Sequence, residues 1–106
     1  MGLSLASVLT QVPEGRGRDI ARRIQESSAA LDGVDAVFVE VTGELVSVYF
    51  ILGVDDIDQF DALFELEEQL IADFGREHLA VHSFTPDLMS ALPSLSGAYT
   101  IIDRRR

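Results

Sequence analysis

The chain has 106 residues and a formal net charge of −10, and this length suits a single domain with its own core. A hydrophobic share of 47% is that of an ordinary globular protein. The chain has no cysteine, which excludes disulfides, thiolate zinc sites and a cysteine nucleophile. The acidic balance argues against a nucleic-acid partner, because phosphate contacts dominate such binding.

No apolar run approaches the roughly 20 residues that span a bilayer. The start of the chain also lacks the basic region of a secretory signal. We therefore expect a cytoplasmic protein with no membrane partner.

The first elements expected are two helices. Ser4 caps a short helix over residues 4–12. The apolar side of that helix holds Leu5, Val8, Leu9 and Val12. Pro13 and the glycines of "PEGRG" end it, and a second helix follows from Arg16 to Leu31. Gly33 of "LDG" is the predicted residue just past its end.

The stretch "VDAVFVEVTGELVSVYFIL" predicts two strands joined at Thr42-Gly43, with Val41 facing Glu44. One face of the hairpin is apolar enough to lie under helices, and it holds Val37, Val39, Val41, Val46, Val48, Phe50 and Leu52. The other face is mixed, and it holds Ala36, Phe38, Glu40, Leu45, Ser47, Tyr49 and Ile51. Its four large apolar side chains are too many to leave wholly in water.

The next segment, "VDDIDQF", begins a long acidic helix capped by Asp55 or Asp56. This helix runs to Phe74 and is ended by Gly75. "HLAVHSF" predicts a third strand, "TPDLMSAL" a short helix capped by Thr85, and "AYTIID" a last strand.

The predicted order is α-α-β-β-α-β-α-β, an α+β fold of the ferredoxin-like kind or a permutation of it. We expect a two-layer sandwich with the helices on one face of a mainly antiparallel sheet. Residues 1–106 form one domain in this prediction. Its core spans residues 16–85, preceded by the 4–12 helix and followed by an extension over 86–106.

Glu67 lies at the centre of the apolar stripe of the acidic helix. Its neighbours at helical spacing are Phe60, Leu63, Phe64, Leu70, Ile71 and Phe74. An ionised carboxylate there is costly unless it is paired. The third strand offers two alternating sets of side chains, and we take the set that carries the imidazole of His82. The prediction is a buried polar pair of Glu67 and His82; the alternatives are a carboxylate that reaches solvent or meets an arginine of the preceding helix.

Other chemistry-bearing motifs are short. "EGRGRD" has two glycines before a helix but no preceding strand, so a flexible turn is favoured over a phosphate site. "VDDID" clusters carboxylates as a hard cation requires, but it lacks the glycine and the closing glutamate of an EF-hand loop, so a helix cap is favoured. A possible metal site would combine His82 and Glu67 with Asp55 and Asp56.

Three short motifs lie between Asp19 and Pro86: Gly33-Val34, Leu66-Glu67 and "AVHSFTP" with His82. In these motifs the stretch resembles the cytoplasmic C-terminal domain of cation diffusion facilitator transporters. The resemblance implies a ferredoxin-like or metallochaperone-like fold, sheet-to-sheet or V-shaped dimers, and metal-responsive regulation. The histidines that this family often has in the second helix and first strand are replaced here by Gln59-Phe60 and Val37-Phe38.

A second resemblance, to small nucleotidyltransferase-like antitoxin domains, covers the later strands and the "TP" segment. The Gly-Ser motif and the Asp-x-Asp pair of that family are missing. It implies at most a degenerate member without transferase activity.

We expect a non-enzymatic regulatory or interaction module that binds no cofactor and forms a homodimer. The mixed hairpin face would be the contact, and its residues are Phe38, Leu45, Tyr49 and Ile51. In the alternative, the N-terminal helix or "AYTIID" covers this face within one chain. Two other functions stay open: a divalent-metal-responsive domain using His82 with nearby carboxylates, and a small enzyme using Glu67 and His82.

Overall fold

The structure is a computed structural model, and it describes residues 12–27, 29, 31, 33–53, 60–92, 94–95 and 97–104. Its regular elements are α1 (Arg16–Glu26), β1 (Val34–Thr42), β2 (Leu45–Leu52), α2 (Asp61–Phe74), β3 (Leu79–Phe84), a 3-10 helix (Pro86–Ala91) and β4 (Tyr99–Asp103). The predicted 4–12 helix and the predicted caps Asp55 and Asp56 lie outside the described residues, apart from Val12.

The strands form one four-stranded sheet in the order β3-β2-β1-β4. β1 is antiparallel to β2 and to β4, whereas β2 and β3 are parallel. The α+β class is therefore confirmed, with a mixed sheet. The ferredoxin-like arrangement is not confirmed, because a split βαβ unit places another strand between the two strands that a helix connects. Here β2 and β3 are direct neighbours.

The hairpin turn lies one residue later than predicted. Thr42 pairs with Leu45, so Gly43 and Glu44 form the loop. Gly43 has a φ of +61°, and all described residues with positive φ are glycines. Glu44 therefore has a negative φ, and a positive φ at the first loop residue alone is the pattern of a type II′ turn. Val41 consequently faces Val46 rather than Glu44. The register moves by two residues, so every side chain keeps its predicted face.

Helix α1 ends at Glu26, five residues before the predicted Leu31. Ser27 is its C-cap, and the sequence continues with a second serine at position 28. Serine hydroxyls compete for backbone hydrogen bonds and favour helix ends over helix interiors. Gly33 keeps a positive φ of +85°, but it precedes β1 instead of closing the helix.

Both helices pack on the predicted apolar face of the sheet. Their buried residues, including Ile20, Ile24, Leu63 and Leu70, join one cluster with Val37, Val39, Val46, Val48 and Phe50. An ion pair between Arg23 of α1 and Asp73 of α2, at 2.6 Å, ties the helices to each other. Ile101 and Ile102 of β4 belong to the same cluster, so the core extends beyond the 16–85 range.

The opposite face of the sheet, here called the second face, is covered by the chain itself. Ala36, Phe38, Tyr49 and Ile51 are at most 8% exposed. The side chains packed against them are Phe84, Leu92, Leu95 and Ala98. The predicted self-association face is therefore wrong for Phe38, Tyr49 and Ile51, and only Leu45 stays exposed, at 40%.

The topology explains why Leu92, Leu95 and Ala98, which lie between β3 and β4 in the chain, cover the second face. β3 and β4 lie at opposite edges and run parallel, so their connection must cross the sheet. The earlier crossover through α2 lies on the helix face and moves outward from β2 to β3. The later crossover, from β3 to β4, runs across the sheet in the opposite direction. Nearly all crossovers between parallel strands are right-handed. Two right-handed crossovers that run in opposite directions across one sheet must lie on opposite faces of it.

Burial predicts how the same substitution acts at two leucines. Leu70 of α2 is fully buried, whereas Leu88 of the 3-10 helix is 50% exposed. Leu70→Ala should lower the free energy of unfolding by about 2–5 kcal/mol, because it removes core contacts and leaves a cavity. Leu88→Ala should change it by less than about 0.5 kcal/mol. Urea unfolding of both variants measures this, and equal losses would contradict the described core.

Candidate interaction surface

Glu67 meets Ser83, and the predicted pair with His82 is wrong. The Ser83 hydroxyl donates a hydrogen bond to Glu67 Oε1 at 3.3 Å. Ser83 is exposed and Glu67 is half-buried, so the contact lies at the rim of the helix face. The partner on β3 comes from the other alternating set of side chains.

The register between β2 and β3 explains why Ser83 and not His82 lies next to Glu67. Phe50 pairs with Ser83 and Tyr49 pairs with His82, so Ser83 shares the helix face with the core residue Phe50. His82 instead stacks on Tyr49 over the second face, with ring centroids 5.1 Å apart and planes 16° from parallel. The missed signal was the Ser83 hydroxyl, which is also a hydrogen-bond donor.

The environment of Glu67 favours its neutral form. Burial raises the pKa of this carboxyl above its ordinary value, and the hydrogen bond from Ser83 lowers it by less. Within the described part of the chain, the carboxylate thus lies at the rim of the core with one neutral hydrogen-bond partner. A cationic partner at this position would stabilise its charged form.

The predicted metal set is not brought together. His82 and Glu67 lie on opposite faces of the sheet, and Asp55 and Asp56 lie outside the described residues. Within the described ranges, no group of three or more metal-ligating side chains lies close enough to hold an ion.

A groove lies between the end of α1 and the start of α2. Its lining residues are Ser27, Leu31, Ala62, Glu65, Leu66 and Gln69. The volume of about 210 Å³ is below the roughly 300 Å³ at which small-molecule pockets usually begin. The groove is therefore a weaker candidate than the sheet edge described next.

β3 forms an edge of the sheet that no other strand in the described chain covers. The Val46 N–H donates to the His78 carbonyl at 2.8 Å, which fixes the direction of the backbone groups along β3. In a parallel ladder these directions alternate. The N–H and C=O groups of Leu79, Val81 and Ser83 therefore point away from β2, toward the edge.

The other edge, β4, carries several of the features that block strand pairing. A register shift interrupts its pairing with β1 between Val37 and Phe38. Asp103 and Arg104 place charges at its end. The Arg104 guanidinium also donates to the Leu31 and Val34 carbonyls, each at 3.0 Å. β3 has no such bulge, no proline and no aspartate, glutamate, lysine or arginine.

The flank of α2 that faces away from α1 lies above the β3 edge. Phe64, Glu67 and Ile71 share this flank at helical spacing. Phe64 is 42% exposed, and Ile71 and Val81 are partly buried at the border of the core. We call these residues, together with Ser83, the edge surface.

Comparison with known proteins found no relative of this chain. No family model matches the sequence, and neither a curated protein nor a solved structure matches it. The resemblance to cation diffusion facilitator domains stays a prediction. No helix within the described ranges is long and apolar enough to cross a bilayer.

The raised pKa of Glu67 predicts a pH-dependent effect of Glu67→Gln. A group with a raised folded pKa contributes stability below its unfolded pKa and loses it as pH rises through the folded pKa. The ionised carboxylate therefore costs stability at neutral pH, while glutamine keeps an acceptor for Ser83. Glu67→Gln should be the more stable protein at pH 7, by less than about 1 kcal/mol because the group is partly hydrated.

Thermal unfolding from about pH 4 to pH 7 tests this, since the difference should shrink toward the acid end. Glu68→Gln is the control, because Glu68 is an exposed neighbour on the same helix. A Glu67→Gln variant that is less stable than the native chain at pH 7 would contradict the described environment.

Proposed function

We propose that this protein is a small non-enzymatic interaction module that self-associates through the edge surface of β3 and α2. The observation that carries the proposal is the difference between the two sheet edges. β4 is bulged and charged, whereas β3 offers an uncharged row of backbone donors and acceptors. Strand edges of the second kind pair readily with another chain.

The proposal keeps the self-association expected from the sequence but moves its location. The mixed hairpin face cannot serve while Leu92, Leu95 and Ala98 lie on it. Among the described residues, no strand covers the β3 edge, so pairing there displaces none of them. The apolar side chains Phe64 and Ile71 lie on the same side of the molecule, so pairing would also remove apolar surface from water.

Light scattering and sedimentation of the native chain, from micromolar to millimolar concentration, test the proposal. We expect the average mass to rise from monomer toward dimer across this range. A strict monomer at millimolar concentration would reject self-association altogether.

Matched lysine substitutions on the two edges locate the contact. Val81→Lys places a charge at the centre of the β3 edge, and Thr100→Lys places one on an exposed residue of β4. Edge lysines oppose strand pairing, and each long side chain can extend its charge into water. We expect Val81→Lys to weaken dimerisation at least about tenfold and Thr100→Lys to leave it unchanged. The reverse pattern would move the interface to β4.

A further inference from the structure

We propose that two copies pair their β3 strands antiparallel about a two-fold axis at Val81, so that each Glu67 meets the partner's Arg76. This inference rests on the proposed self-association and specifies its register and its charge contacts. It assigns a role to the carboxylate at the rim of the core, which within the described chain has only the neutral Ser83 as its hydrogen-bond partner.

The backbone directions favour this register. Leu79, Val81 and Ser83 present their N–H and C=O groups to the open edge, as the bond from Val46 to His78 implies. An axis at Val81 pairs Val81 with its own copy and Leu79 with the partner's Ser83. All outward groups of the strand then find partners. An axis at Leu79 or Ser83 would leave part of the strand opposite a turn.

The side chains near this axis are apolar. Glu67 lies over Ser83, and α2 runs antiparallel to β3 because it connects two parallel strands. Val81 is two residues before Ser83, a distance of about 6.6 Å at the rise of a strand. The same distance along a helix is roughly four residues, which places Ile71 at the level of Val81. Both are partly buried at the border of the core, so they form the apolar centre that interfaces usually have.

Opposite charges meet on either side of that centre. Leu79 lies opposite the partner's Ser83, and therefore at the level of the partner's Glu67. Arg76 lies in the turn between α2 and β3, just before Leu79, and is exposed. Among the described residues Arg76 makes no ion pair. The two-fold axis forms the contact between Glu67 and Arg76 twice, which makes the surface complementary to itself in charge.

The size of the surface sets the expected affinity. β3 has six residues and α2 has fourteen, so each is about 20 Å long. A helix layer on a sheet layer is roughly 20 Å high, so such a contact buries on the order of 800 Å² in total. This is below the roughly 1,200 Å² at which stable specific interfaces begin and is typical of weak, transient contacts, so we expect dissociation constants in the micromolar to millimolar range.

Disulfide trapping tests the register, and the absence of native cysteines makes single-cysteine variants unambiguous. Directly opposed residues in a hydrogen-bonded antiparallel pair have Cα atoms about 5.5 Å apart, within disulfide range. Val81→Cys should give a disulfide dimer under mild oxidation. Thr100→Cys on β4 is the matched control and should give only collisional background. Equal yields from the two variants would overturn the register.

Charge exchange tests the contact between Glu67 and Arg76. Arg76→Glu should weaken dimerisation by about tenfold, because it sets like charges opposite each other twice. Adding Glu67→Arg to that variant should restore most of the affinity. Arg22→Glu is the control, since Arg22 is exposed on α1, away from the edge surface. No rescue by the double variant would overturn the proposed contact.

The outcomes separate the inference from the function on which it rests. A native chain that stays monomeric removes both. A native dimer that Val81→Cys does not trap and Arg76→Glu does not weaken leaves self-association standing and rejects this geometry. Arg76 lies in an exposed turn, so this variant tests the contact even if substitutions at Val81 or Glu67 reduce folding.

Discussion

β2 and β3 are parallel neighbours in the sheet, with Val46 opposite Leu79 at one end and Ile51 opposite Phe84 at the other. Parallel neighbours cannot be joined by a tight turn, so the chain between them forms a crossover that contains α2. The pairing of Phe50 with Ser83 and of Tyr49 with His82 then decides which β3 side chains lie beneath α2. In the strand order β3-β2-β1-β4, β3 lies at one edge of the sheet and β4 at the other. The connection from β3 to β4 therefore crosses the second face.

The local elements could be predicted from the sequence because short-range patterns determine them. The hairpin strands, the end of α2 at Gly75, β3 and β4 follow from alternation, helical spacing and glycine position. Even a two-residue error in hairpin register left every side chain on its predicted face, since the strand period is two. The early end of α1 at Ser27 was the main local error.

The candidate site was harder to predict because it depends on pairing between distant strands. A partner for Glu67 on β3 could be expected, but local patterns do not determine which alternating set of β3 side chains faces α2. Ser83 and His82 are neighbours in the chain and therefore lie on opposite faces of the sheet. Pairing between distant strands also limited what could be predicted for the second face. Its apolar side chains were recognised, but their cover comes from Leu92, Leu95 and Ala98, whose position follows only from the strand order.

The connection from β3 to β4 also affects the order in which the strands of the sheet pair during folding. β1 and β2 are joined by a two-residue loop, so their hairpin forms from contacts close in sequence. β1 gains its second neighbour only from Tyr99–Asp103, more than fifty residues later in the chain. Contacts of such separation form late, because the entropy of closing the intervening loop must be overcome first. A chain in which β4 has not yet paired leaves Phe38 and Tyr49 without their cover, and exposed apolar surface of this kind favours aggregation.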